Sequence, residues 1–72
     1  MQVNARLSEG IVSFVRIVNY LRRKEIEIKS INMRSSDGSI IYINMDFSDV
    51  HSAKYIINNI SKLKDVEAIE VI

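Results

Sequence analysis

Between Gln2 and Leu7 apolar and polar residues alternate. Val3, Ala5 and Leu7 fall on one side of an extended chain, and Gln2, Asn4 and Arg6 on the other. A period of two predicts a strand with one buried face. From Ile11 to about Lys24 the alternation is lost. Ile11, Phe14, Ile17, Val18 and Leu21 recur at helical spacing, with Arg16, Asn19, Arg22 and Arg23 largely off that stripe. Ser8 is the expected N-cap, Glu9 suits the positive end of the helix dipole, and the basic residues gather in the last turn, where they complement its negative end. Val12, Val15 and Tyr20 lie outside a single narrow stripe. The helix is therefore expected to bury two faces, one on a sheet and one on another subunit.

The stretch Ile26 to Phe47 reads as a β-hairpin. Two runs rich in β-branched residues flank Ser35-Ser36-Asp37-Gly38-Ser39, a cluster of turn formers. In the second run Ile41, Ile43, Met45 and Phe47 face one way, and Tyr42, Asn44 and Asp46 the other. In the first run the apolar parity shifts between Ile28 and Ile31, which predicts a bulge or a late strand start near Lys29. Ser48-Asp49 is the expected start of a second helix, whose stripe is Ala53, Ile56, Ile57, Ile60 and Leu63, with Lys62 and Lys64 at its end. Val66 to Ile72 is a last strand. A hairpin alone buries too little apolar surface to be stable, so the flanking segments must cover one of its faces. The order β-α-β-β-α-β predicts an α+β fold of ferredoxin-like type, a four-stranded antiparallel sheet with two helices on one face. The other face is left partly open for a partner.

Composition narrows the picture. A chain of 72 residues forms one domain, residues 1–72. A domain of this size buries only about 60% of the surface that its unfolded chain exposes. There is no Cys to supply a disulfide or a thiolate metal site, and no Trp. Stability is therefore expected to draw on a partner, as a homodimer or in a larger complex. No run approaches the roughly 18 apolar residues of a membrane span, and the first residues lack a basic-then-apolar leader pattern. A cytoplasmic protein is the expectation, with no membrane partner. The net charge of +1 names no strongly charged partner.

Candidate chemistry is sparse. His51 is the only histidine. Without a neighbouring His or Cys it is a poor metal ligand set, and in the first turn of a helix it is expected to be solvated. Asp46 and Asp49, at a strand end and a helix cap, read as structural carboxylates rather than a catalytic pair. Glu9-Gly10-Ile11 before a helix invites comparison with acylphosphatases. That chemistry needs a glycine-rich loop carrying an Arg, and Leu7 to Val12 has one Gly and no Arg. An RNA-binding sheet needs aromatic and basic residues on its exposed strands. The third strand offers Tyr42, Asn44 and Asp46: one aromatic, one acid and no base. Arg22-Arg23-Lys24 is the one basic cluster, and a solvated helix end is its simplest reading.

Three stretches carry a resemblance. Gln2-Val3-Asn4-Ala5-Arg6-Leu7, Lys29-Ser30-Ile31-Asn32-Met33 and Lys62-Leu63-Lys64-Asp65-Val66, in this order and spacing, look like the first strand, second strand and last helix-to-strand turn of an ACT domain. The chain most closely resembles the short small subunit of acetohydroxyacid (acetolactate) synthase. The resemblance implies a non-catalytic role without a cofactor. Such a subunit binds a thiamine-diphosphate-dependent catalytic subunit, raises its activity and acts in branched-chain amino acid synthesis. Longer members bind valine between paired ACT domains, using the loop before the first helix of one and the start of the second strand of the other. Carried over, that site falls on Gly10, Ile11, Val12, Glu27 and Ile28.

The regulated members have an Asn in that loop, where this chain has Leu7, and an Asn-Ile pair at the second strand. Aligned from the strand, the pair falls on Glu27-Ile28; aligned from Gly10, on Glu25-Ile26. An acid replaces the amide in either register. A valine-insensitive, activating subunit is expected, with a stand-alone amino-acid-binding ACT regulator as the alternative.

Overall fold

The structure is a computed structural model that describes residues 1–35 and 40–72. Its elements are β1 (Gln2–Leu7), α1 (Gly10–Arg23), β2 (Ile28–Ser35), β3 (Ile41–Phe47), α2 (Ala53–Ser61) and β4 (Val66–Val71). The strands form one antiparallel sheet in the order β2-β3-β1-β4, the ferredoxin-like arrangement. The turn expected at Ser36 to Ser39 lies outside the described residues.

Alternation decides which side of the sheet is covered. Val3, Ala5 and Leu7 of β1 and Ile41, Ile43, Met45 and Phe47 of β3 are all buried. Ile17 and Leu21 of α1 and Ile56 and Ile60 of α2 close over them, and Ile26 completes the core. The predicted bulge is present: the β2–β3 register shifts between Ile28 and Ser30, passing over Lys29. A second irregularity lies in the β1–β4 pairing between Arg6 and Leu7.

Helix ends depart from expectation in three places. The residue before α1 is Glu9 rather than Ser8, and it makes no side-chain cap. Ser8 is instead tied to the far turn, donating to the Asp65 carbonyl from its N–H (3.0 Å) and its Oγ (3.3 Å). The second helix starts at Ala53 rather than at Ser48-Asp49. Ser52 is its N-cap and accepts the Tyr55 N–H at 3.1 Å, satisfying a donor that the first helical turn leaves unpaired. It ends at Ser61, so Lys62 and Lys64 lie beyond its last turn. Ala53 is exposed, and Asn59 is buried in its place on the inner stripe.

The end of α1 shows why β2 begins late. Ile26 N–H donates to the Leu21 carbonyl and Glu25 N–H to the Arg22 carbonyl, both at 3.0 Å. This is a Schellman closure, with Glu25 at φ 57° in the left-handed position that glycine usually takes. The apolar pair that accompanies the motif is Leu21 with Ile26, both buried.

Candidate functional site

Gly10 opens α1 at φ 60°. The turn before it is held from three sides. Glu9 N–H donates to Ser13 Oγ at 2.9 Å, Ser8 is bonded to Asp65, and Arg16 Nη1 reaches Glu9 Oε2 at 2.8 Å. The first helical turn carries no acidic side chain. Its peptide N–H groups and the helix dipole therefore suit a negative group.

Ile11 and Val12, from the same turn, are 56% and 51% exposed, and Val15 is 50% exposed. Ile11 was expected on the inner stripe. Ser13 occupies that position instead, because its hydroxyl is needed for Glu9 and its small side chain lets the helix approach the sheet. Arg16 and Tyr20 face α2 and the turn before β4 through Asp65 and Asn59. At 100° per residue, Ile11, Phe14, Val15 and Val18 then lie on the flank turned towards β2.

Glu27 and Ile28 stand at the other end of the molecule. Leu7, just before the Gly10 turn, pairs with Ile41, whereas Ile28 pairs with Phe47 at the opposite end of β3. Within one chain the structure thus separates Gly10, Ile11 and Val12 from Glu27 and Ile28. Glu27 is exposed, and Ile28 is partly buried against the core.

His51 acts on this second group. It lies in the turn before α2, not in the helix, and is partly buried rather than solvated. Its Nε2 accepts the Glu27 N–H at 2.8 Å, and its ring stacks on Tyr55 with centroids 6.3 Å apart. The Ser48 N–H donates to the Glu27 carbonyl at 3.1 Å, so both main-chain polar groups of Glu27 are held. Nothing in the local pattern signals this tie, because its partners are 24 residues apart. Asp46 and Asp49 approach the Met1 amine at 3.6 and 3.9 Å. Among the described residues no group of three or more His, Asp or Glu is placed to hold a metal ion.

The open face of the sheet is ordered in rows. Asn32, Asn44, Asn4 and Glu70 share one register row across all the strands. Asn44 Nδ2 donates to Asn4 Oδ1 at 2.7 Å, and Asn4 Nδ2 to Glu70 Oε1 at 3.4 Å. The next row is Arg34, Tyr42, Arg6 and Ala68, with the Arg34 guanidinium 5.6 Å from the Tyr42 ring centroid. A shallow concavity of about 540 Å³ lies over these rows. Neighbouring strands thus supply the bases that β3 lacks. Arg6, however, is paired with Glu67 at 3.1 Å, and Asp46 and Glu70 add further negative charge. Among the described residues the face carries no cationic excess for a phosphate backbone.

Among the described residues no helix is long and apolar enough to cross a membrane. No protein-family model matches the chain, nor does any curated protein or solved structure.

Proposed function

We propose that this chain is a non-catalytic, activating small subunit of acetohydroxyacid synthase, acting in the cytoplasm as a homodimer on the catalytic subunit. The observation that carries the reading is an unpartnered surface. Ile11 and Val15 are exposed on α1, on the side of the sheet where β2 is an edge strand. Met33 of β2 is exposed there as well. Exposed apolar residues beside an open strand edge fit a protein–protein contact. The resemblance of the three strand and turn motifs to ACT domains gives that contact its proposed partner.

Pairing of two β2 edges would also unite the separated residues. An antiparallel β2–β2 contact about a two-fold axis sets the start of one β2 against the end of the other. Glu27 and Ile28 of one copy then lie at the end of the sheet where Gly10, Ile11 and Val12 of the second copy stand. Such a site offers helix amides for a carboxylate, Glu27 for an ammonium group and apolar side chains for a branched chain. This is what favours the alternative, an amino-acid-binding ACT regulator of another enzyme.

The decisive experiment mixes the protein with the catalytic subunit from the same source and measures acetolactate formation from pyruvate, with and without valine. A several-fold gain unaffected by valine is the expected result. A gain abolished by valine would keep the subunit assignment and overturn its valine insensitivity. No gain and no co-elution on a sizing column would refute the subunit reading.

A further inference from the structure

We infer that the groove between α1 and the turn before β4 binds a small multivalent oxyanion, of the class of phosphorylated or polycarboxylate metabolites. The groove is open to solvent, spans about 840 Å³ and is lined by Glu9, Arg16, Asn19, Arg23, Lys64 and Asp65, among others. That volume is of the size that small-molecule sites occupy.

Its hydrogen-bonding capacity is lopsided. The two carboxylates are already engaged, since Arg16 Nη1 contacts Glu9 Oε2 at 2.8 Å and both Asp65 oxygens at 3.0 and 3.1 Å. Those contacts use a single guanidinium nitrogen. The Nε–H and Nη2–H groups of Arg16 have no acceptor among the described residues. Asn19 accepts from Arg22 Nη2 through its Oδ1 at 3.5 Å, and its Nδ2 donors meet no acceptor among the described residues. Tyr20 donates its hydroxyl to Asn59 Oδ1 at 3.1 Å. Arg23 and Lys64 enter no ion pair among the described residues. The wall thus holds three cationic side chains against two carboxylates, and those carboxylates already have a partner. Its remaining offer is almost entirely of donors. Arginine presents those donors as a rigid fork that fits phosphate and carboxylate oxygens, and lysine adds a point charge.

The site uses none of the residues assigned to the proposed subunit contact, and it does not rest on that reading. Because Arg16 also holds Glu9, an anion on Arg16 reports to the turn that leads into Gly10.

The test is an amide NMR titration of the intact protein at constant ionic strength with pyrophosphate, citrate and, as a neutral control, glucose. The expected result is saturable shifts at Asn19, Tyr20, Arg23 and Lys64 with one or both anions, smaller shifts at Glu9 and Gly10, and none with glucose. Whichever anion saturates the site at lower concentration identifies the phosphate or the carboxylate class. The double variant Arg23→Ala/Lys64→Ala alters two exposed residues and should weaken binding at least tenfold with an unchanged spectrum elsewhere. Asn19→Asp, which places a carboxylate in the wall, should do the same. Shifts that never saturate, that spread equally to Lys29, Lys54 and Arg34, or that persist in both variants would overturn the site.

Discussion

Arg16 Nη1 lies 3.0 Å from Asp65 Oδ2, joining the second turn of α1 to the loop that enters β4. Asp65 is almost buried, and Arg16 is half-exposed. The hydrogen bond that Arg16 donates to Asp65, and then that to Glu9, raises the Arg16 guanidinium above its usual range. A raised folded-state pKa means that the stabilisation is fully present below arginine's unfolded value and is lost only as the pH climbs past it. The ion pair should therefore be insensitive to pH on the arginine side throughout the neutral range. Asp65→Asn should lower the melting temperature, with a smaller deficit in high salt than in low salt, because the exposed half of the pair is screened. Thermal melts at two salt concentrations measure this.

Glu25 occupies a left-handed position without being glycine. An L-residue with a Cβ pays about 1 kcal/mol or more there. Glu25→Gly should stabilise the fold by about 1 kcal/mol, or about 4–8 °C in melting temperature for a domain of this size. Glu25→Val should lower it, since a β-branched residue tolerates that conformation worst.

Phe47 is fully buried at the end of β3, where it pairs with Ile28. Phe47→Ala should cost about 3–5 kcal/mol through lost contacts and the cavity left behind. Small domains have about 5 kcal/mol in total at the low end of the usual range. Urea titration followed by circular dichroism should show no cooperative transition, or one near zero denaturant.

His51 can accept the Glu27 N–H only as a neutral imidazole. Protonation at Nε2 turns an acceptor into a donor and breaks the 2.8 Å bond. Exchange of the Glu27 amide, relative to its intrinsic rate, should speed up in His51→Ala, which removes the acceptor. A net hydrogen bond of about 1 kcal/mol corresponds to about fivefold in that rate. An unchanged Glu27 amide in the variant would show that the tie contributes nothing.

Val15 is half-exposed on the flank of α1 assigned to a partner. Val15→Lys should change the stability of the isolated fold by no more than about 0.5 kcal/mol, since it touches no core position. It should instead weaken self-association or binding to a catalytic subunit, as read by sedimentation. Equal association of the variant and the native chain would move the contact elsewhere.

Local pattern alone carries the identity of every strand and helix among the described residues. The alternation in β1 and β3 predicts both the strands and their buried sides, and the parity break near Lys29 predicts the bulge. These features are legible because a strand or helix on one core must repeat with its own period. Helix starts were less so. Ser8, Ser48 and Ser52 are all competent caps, and only the contact with Asp65 removes Ser8 from that role.

The candidate sites belong to the tertiary structure. Ile11 fits the helical stripe as well as Phe14 does, yet the packing of Ser13 against the Glu9 turn decides that Ile11 faces outwards. Arg16, Arg23 and Lys64 share one groove, and His51 reaches Glu27, only because α1, α2 and the sheet converge. Periodicity records which side of an element is buried against the core. It holds no record of which polar side chains, distant in the chain, meet above it, because such contacts repeat with no period.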